Sequence, residues 1–402
     1  MQVLRGYKTE LDPNKKQATN LAKHAGTSRY AWNWALNRCQ QRISKPNGMA
    51  LHKEWNVWKK KNLIWWGEIS KCCAQEAFRD LQKAYKRFFD NCKNKKRGKK
   101  GHPKFRSKHG KDSFRVTGSI HVTDTYIQLP RIGRVKLKEV GYLPIDTKIL
   151  SATVSRRADR WFVSLQVEEE ITKQTQVKGR VGIDLGLKTF ATCSDGEIFE
   201  SPKALKSNLQ KLKRLSRQHS KKEKGSKNRA KARKRLAKLY YRISNTRRDF
   251  IHKVTSCLTK TKQTLVIEDL NVSGMLKNRK LSRSVADVGF HEFRRQLEYK
   301  CAWYGCELVV ADRWYPSSKL CSSCGWKNND LTLSDRDFIC PECGLDEDRD
   351  WNASKNLENY TVSSTGMNAL GDESSGIDSG VGVKLSSMNK EPNSNQAKGR
   401  FA

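Results

Sequence analysis

The spacing of apolar residues changes three times along the chain, and each change predicts a different kind of element. The opening TELDPNKKQATNLAKHAGTSRYAWNWALNRCQQ reads as a short strand and then a helix, with Leu21, Ala25, Tyr30, Trp34 and Leu36 on its apolar side. In EISKCCAQEAFRDLQKAYKRFFDNCKNK, residues Ile69, Cys73, Ala77, Leu81, Ala84, Phe88 and Cys92 recur at helical spacing and leave Gln75, Arg79, Gln82, Lys83 and Arg87 on other faces. From Ser113 to Glu168 the period shortens to two, in FRVTGSIHV, TYIQLP, GRVKLK, SATVSRR and RWFVSLQV, separated by turn residues. That is the signature of an antiparallel barrel or sheet, and a β-barrel domain over residues 1–12 and 112–175 is expected beside a helical region over 13–111.

Residues 168–180, EEEITKQTQVKGR, read as a linker into a third region. VGIDLGLKTFATCSDGEIFES predicts three strands, with Ser194, Asp195 and Gly196 as a hairpin signal. Leu205, Leu209, Leu212 and Leu215, then Leu236, Leu239, Tyr240 and Ile243, keep helical spacing and predict two helices joined near Lys224 and Gly225, a basic insertion over 203–250. TLVIEDL then reads as a fourth strand, VGFHEFRRQLEYKCAWYG as a helix, CELVVADR as a fifth strand, and a last helix begins near Asp350. From Thr361 the chain is rich in Ser, Gly and Asn without periodicity, so a disordered tail over 361–402 is expected.

Charge narrows the partner. The 402 residues hold 80 Lys plus Arg against 41 Asp plus Glu, a net charge of +39, which calls for a polyanion, nucleic acid first. Residues 93–111 carry ten Lys or Arg and no acid, with Phe105 interleaved; residues 203–248 carry nineteen against the single acid Glu223. No apolar run approaches the roughly 18 residues of a membrane span, so no membrane partner and a soluble, cytoplasmic, nucleoid-associated chain are expected; the oligomeric state is left open by the sequence, with a monomer favoured. Of twelve cysteines, four stand in a paired motif and the other eight mostly lie among apolar neighbours, where a reduced thiol behaves as a small hydrophobe.

Two metal signatures follow. CSSC (Cys321, Cys324) and CPEC (Cys340, Cys343), each followed by Gly, have the spacing of a zinc ribbon over 318–345, and four thiolates leave no open position, so one structural zinc is expected. Separately, Asp184 interrupts the apolar run VGIDLG, Glu268 ends TLVIED, and Asp350 opens DWNASKN. A carboxylate inside a strand is costly to bury unless a cation or donors compensate it. Three strands, an insertion, a strand with an acid, a helix, a fifth strand and a helix with an acid is the order of a ribonuclease H-like fold, expected over 176–317 and 346–360 in an α+β and α/β multidomain chain. There Asp184, Glu268 and Asp350 could hold two Mg²⁺ or Mn²⁺ ions about 4 Å apart. Asp269 competes with Glu268, and Asp346 and Asp348 compete with Asp350.

GIDLGLKTF, VIEDLNVSGM, YPSSKLCSSCGWKN with FICPECG, and DRDWNASKN together resemble the TnpB family of bacterial insertion sequences, relatives of the type V CRISPR effectors. CCAQEAFRDLQKAYKRFF, GHPKFRSK and LPRIGRVKLK extend the resemblance over residues 1 to 357. It implies an RNA-guided DNA endonuclease whose N-terminal regions hold a transposon-derived guide RNA and read a short target-adjacent motif on DNA, with catalytic acids at Asp184, Glu268 and Asp350 and zinc on Cys321, Cys324, Cys340 and Cys343. The alternatives are a nuclease-inactive guided repressor and a conventional ribonuclease H-like transposase that joins DNA ends.

Overall fold

In a computed structural model, which describes residues 2–94, 100–171, 179–332 and 334–360, strand β1 (Gln2–Asp12) leads into helix α1 (Lys15–Gln40) through a reciprocal cap. The Asn14 side chain accepts from the Gln17 amide, and the Gln17 side chain accepts from the Asn14 amide. The expected tail, most of the expected linker and residues 95–99 of the basic run lie outside the described residues.

Helix α2 (Gly48–Asn62) and helix α3 (Lys71–Lys93) pack with α1 around Trp32, Leu36, Leu51, Trp55, Phe78 and Leu81. The sequence pattern does not announce α2, because only Leu51 and Trp55 are large and buried on it. The buried side of α1 is also rotated from expectation. Ala31, Trp32 and Ala35 are buried, Trp34 is half-buried, and Tyr30 is exposed. Two small alanines allow the close helix contact that a tyrosine would block. The described part of the basic run is held against α1: Trp32 Nε1 donates to the Lys104 carbonyl and the Arg106 guanidinium lies 3.7 Å from the Trp32 ring centroid.

Strands β2 (Ser113–Val116), β3 (His121–Val122), β4 (Tyr126–Leu129), β5 (Gly133–Leu137), β6 (Lys148–Arg157) and β7 (Arg160–Glu170) join β1 in one antiparallel sheet, ordered β2-β6-β7-β1-β5-β4-β3. The N-terminal strand therefore completes the sheet, as the alternating pattern requires. The expected barrel is not closed, since among the described residues the end strands β2 and β3 do not pair with each other. Leu21 and Ala25 of α1 with Cys72 and Cys73 of α3 join Val116, Ile127, Val135 and Leu165 in the core of this sheet. With helices closing its core, the sheet buries its apolar side without joining its edges.

A second sheet follows, built from β8 (Arg180–Leu185), β9 (Ala191–Cys193), β10 (Ile198–Phe199), β11 (Thr264–Glu268) and β12 (Glu307–Ala311) in the order β10-β9-β8-β11-β12. β8, β11 and β12 are parallel, and β9 and β10 are antiparallel hairpin partners. Between β10 and β11 stand the two basic helices α4 (Ala204–Ser220) and α5 (Lys227–Thr261), which turn at Gly225 with φ +90°. Short helices α6 (Val272–Met275) and α7 (Ser282–Val288) precede α8 (Phe290–Tyr304).

Strand alternation divides the parallel strands between two faces. Val181, Ile183, Leu265 and Ile267 pack with Ile251, Val254 and Leu258 of α5 and Phe293 and Leu297 of α8. The opposite face carries Gly182, Asp184, Val266 and Glu268. Val266 packs there with Ala311, Leu357 and Tyr360, under the last helix, α9 (Arg349–Glu358). A small hairpin, β13 (Asp337–Ile339) and β14 (Asp346–Asp348), runs directly into α9 and packs Phe338 against Trp326, Leu331 and Leu345. Among the described residues no helix is long and apolar enough to cross a membrane.

Candidate functional site

The four thiols converge. The Sγ atoms of Cys321, Cys324, Cys340 and Cys343 all lie within 4.8 Å of one another, with Cys321–Cys343 and Cys324–Cys340 each 3.5 Å apart. Sulfurs at the corners of a tetrahedron around zinc stand about 3.8 Å apart, so the donor set fits that ion. Each pair sits on the same backbone device. The Gly325 amide donates to the Cys321 carbonyl and the Gly344 amide to the Cys340 carbonyl, both at 2.9 Å, with φ of +78° and +72° that only glycine adopts freely.

The acids are brought together by register and by one glycine. The β8–β11 ladder reaches Ile183 opposite Ile267, so the next residues, Asp184 and Glu268, stand side by side on the face under α9. Gly182, two residues before Asp184, points the same way. A Cβ there would meet the Ser354 carbonyl oxygen at 1.9 Å and the Glu358 nitrogen at 2.3 Å. The missing side chain lets the α9 backbone rest on β8, which carries Asp350 to Asp184.

The competing acids are accounted for by their partners. Asp348 is the N-cap of α9 and accepts from the Asp350 and Trp351 amides at 2.9 and 3.0 Å, while Asp346 is exposed on β14. Asp269 turns away from Glu268 and is held by both Arg294 and Arg313. Glu268 Oε1 accepts from the Ser317 hydroxyl, and Asp350 Oδ1 pairs with Arg349 at 3.0 Å.

Burial pushes Asp184 well above the usual carboxylate range, and the negative charges of Glu268 and Asp350 push it further, with Arg349 acting the other way. Burial also raises Glu268, opposed by the Ser317 hydrogen bond. The three carboxylates do not close as tightly as the thiols: among the described residues only the four cysteines bring three or more ligand atoms within 4.8 Å. A cluster of hard oxygen donors with excess negative charge fits a divalent cation such as Mg²⁺ or Mn²⁺.

Three supporting roles, those of Ser317, Asn352 and Asn356, were not read from sequence. Asn352 and Asn356, both buried on α9, donate to the Leu320 carbonyl at 2.7 and 2.6 Å; Asn356 also donates to the Ser317 carbonyl at 2.7 Å, and Asn352 accepts from the Ser322 amide. One helix thus ties the segment ahead of Cys321 to the serine that holds Glu268. Their spacing of four in DWNASKN was the only available signal.

Residues 162–279, which include Asp184 and Glu268, match the OrfB_IS605 family, described as "Probable transposase". Residues 290–357, with Asp350 and all four cysteines, match the TNB domain of Cas12f1-like proteins, and residues 1–48, where β1 and α1 lie, match a helix-turn-helix domain. A protein of Streptomyces pristinaespiralis named "Putative RNA-guided DNA endonuclease" is 39% identical over 367 residues, 89% of each chain. The chain belongs to the TnpB family. InsQ of Escherichia coli K12, another family member with the same description in its name, is 31% identical over 380 residues, 89% of this chain and 92% of its own. The solved complex of Cas12f1 with sgRNA and target DNA aligns at 16% identity over 89% of this chain and 99% of its own, with a TM-score of 0.34.

Two outcomes are expected from this geometry. Wild-type protein should carry about one zinc per chain, and Cys324→Ser should lose it and speed amide exchange in α9 as well as in the ribbon; unchanged metal content would refute the site. Asp184 has a folded pKa above its unfolded value, so the folded chain holds a proton that the unfolded chain has released, and stability without divalent ions falls as pH rises through that interval. Asp184→Asn should therefore be more stable than wild type at pH 7 in zinc-loaded protein with no added Mg²⁺ or Mn²⁺, with the gap closing toward pH 4 at no more than about 1.4 kcal/mol per pH unit. A gap independent of pH in chemical denaturation would contradict this.

Proposed function

We propose that the chain is an RNA-guided DNA endonuclease of an insertion sequence, which binds a guide RNA derived from the transposon end and hydrolyses target DNA beside a short motif. What supports the reading is that Asp184 and Glu268 are neighbours on the sheet face covered by α9, that α9 itself carries Asp350, and that Asp184 is buried among like charges. The whole-length relatives are named for this activity. The nuclease domain is assigned to residues 176–317 and 346–360 as a ribonuclease H-like (RuvC) unit, with the sheet order and α9 in support.

In this reading Asp184, Glu268 and Asp350 hold two Mg²⁺ or Mn²⁺ ions, and Cys321, Cys324, Cys340 and Cys343 hold one structural zinc. Bound divalent ions supply an activated water and neutralise charge on the departing oxygen of an in-line displacement. The protein's own residues do the positioning. Ser317 fixes one oxygen of Glu268 and leaves the other for a ligand. Asp348 caps α9 and so sets the direction in which Asp350 leaves the helix.

Binding rests on charge. A cleft of ≈570 Å³ beside the α4–α5 hairpin is lined by Arg160, Lys211, Arg235, Lys238 and Arg242 with the aromatic Tyr241, and among the described residues no acid lines it. Such a surface suits a phosphate backbone and carries no base code, which is what guide pairing would require of the protein.

The test is to express the chain with its flanking genomic DNA, purify it, sequence the bound RNA and challenge the complex with a plasmid library of randomised target-flanking sequence. Discrete bound RNA and cleavage next to a fixed motif are expected. Asp184→Ala should lower cleavage more than about 100-fold and Ser317→Ala about 10- to 100-fold, the usual effect of removing a group that orients a metal ligand. Absence of a discrete RNA, or wild-type cleavage by Asp184→Ala in Mg²⁺, would overturn the reading.

A further inference from the structure

One aromatic segment belongs to neither sheet nor to the acid site. Helix α2 ends in Lys59, Lys60 and Lys61, and the chain turns at Leu63 into a single 3-10 turn, Ile64–Glu68, of sequence IWWGE. Ile64 is fully exposed, and Trp65 and Trp66 retain 39% and 40% of their surface. Neither tryptophan belongs to the apolar clusters around the first three helices. Trp34, Trp55 and Trp58 already pack with Phe78 between the first three helices, and Leu63 is the residue of this turn that joins that cluster.

The surroundings are cationic. Lys59 Nζ lies 4.8 Å from the Trp66 ring centroid. Among the described residues no acid pairs with Lys59, Lys60 or Lys61, and the one acid of the turn, Glu68, is paired with Lys23 at 2.7 Å. Burial and the neighbouring Lys60 and Lys71 lower the Lys59 pKa, as expected where positive charge is crowded.

A contiguous exposed apolar patch rimmed by polar residues marks an interaction surface more often than a scattered exposed residue does. A protein partner fits this one poorly, since lysine is depleted from such interfaces. Flat rings beside three unpaired ammonium groups match an occupant that offers both π faces and phosphates.

We propose that Ile64, Trp65 and Trp66 form a stacking platform for unpaired nucleotides at the end of a duplex, with Lys59, Lys60 and Lys61 holding their phosphates. The proposal rests on the nucleic-acid reading above and adds to it a specific surface. Stacking is tolerant of sequence, so the platform captures bases released from pairing whatever their identity.

The test compares full-length protein on two DNA probes, a blunt duplex and the same duplex with a six-nucleotide single-stranded tail containing 2-aminopurine. Trp65→Ala/Trp66→Ala should weaken tail binding about 10-fold or more and abolish quenching of the tail's fluorescence, with blunt-duplex affinity and zinc content unchanged. Trp65→Phe/Trp66→Phe should retain both signals, which a merely structural role would not require. Lys60→Gln/Lys61→Gln should weaken both probes and flatten the salt dependence. Unchanged tail affinity in the double alanine variant overturns the platform, and so does an equal loss on the blunt duplex. Conversion of a wild-type dimer to a monomer without loss of tail binding would instead make the patch a self-association surface. Asp184→Ala should bind the tail normally, so failure of the nuclease assignment alone leaves this outcome readable; wild-type protein that binds neither probe overturns both.

Discussion

The close approach of α9 to β8 is the constraint on which the rest of the acid site depends. Two acids on neighbouring parallel strands are fixed by register alone, but the third comes from a helix more than 80 residues later in the chain. That helix can lie on the strand only where the strand has no side chain, at Gly182. The same residue donates its amide to Ser194 Oγ and accepts from the Ser194 amide, which ties the hairpin to the strand. Backbone contact, not side-chain attraction, sets the position of Asp350, because the three carboxylates repel one another.

The ribbon and the acid site share this helix. β14 continues directly into α9, Asp348 ends one and caps the other, and Asn352 and Asn356 hold the chain just before Cys321. The four-thiol cluster and Asp350 are therefore joined through α9. The buried acid Glu76 shows the contrast: it is paired with Arg79 and Arg115, so its charge is answered within the fold and calls for no cation.

Much of this was legible from residues. An acid inside VGIDLG or at the end of TLVIED stands out because its neighbours are buried, and paired CxxC motifs carry their own geometry. The succession of strands and helices around the second sheet followed the order of apolar runs. What was not legible lay in particular side-chain contacts: the ion pairs of Asp269 with Arg294 and Arg313, distant in sequence, and the capping of α9 by Asp348. Alternating residues 113–168 predicted strands but not whether their sheet closes, since closure depends on what covers the apolar side. Helix α2, with two large buried residues, gave too little periodicity to be seen.

The most direct measurement is a Mn²⁺ titration followed by electron paramagnetic resonance, on wild type and on Gly182→Ala, in which all three acids and all four cysteines are intact. Wild type should bind Mn²⁺ at the acids, and Gly182→Ala, folded and with its zinc retained, should bind at least about 10-fold more weakly because α9 no longer seats Asp350 against Asp184. Equal Mn²⁺ affinity in a folded Gly182→Ala protein would contradict the assignment of the three acids to one site built by that contact.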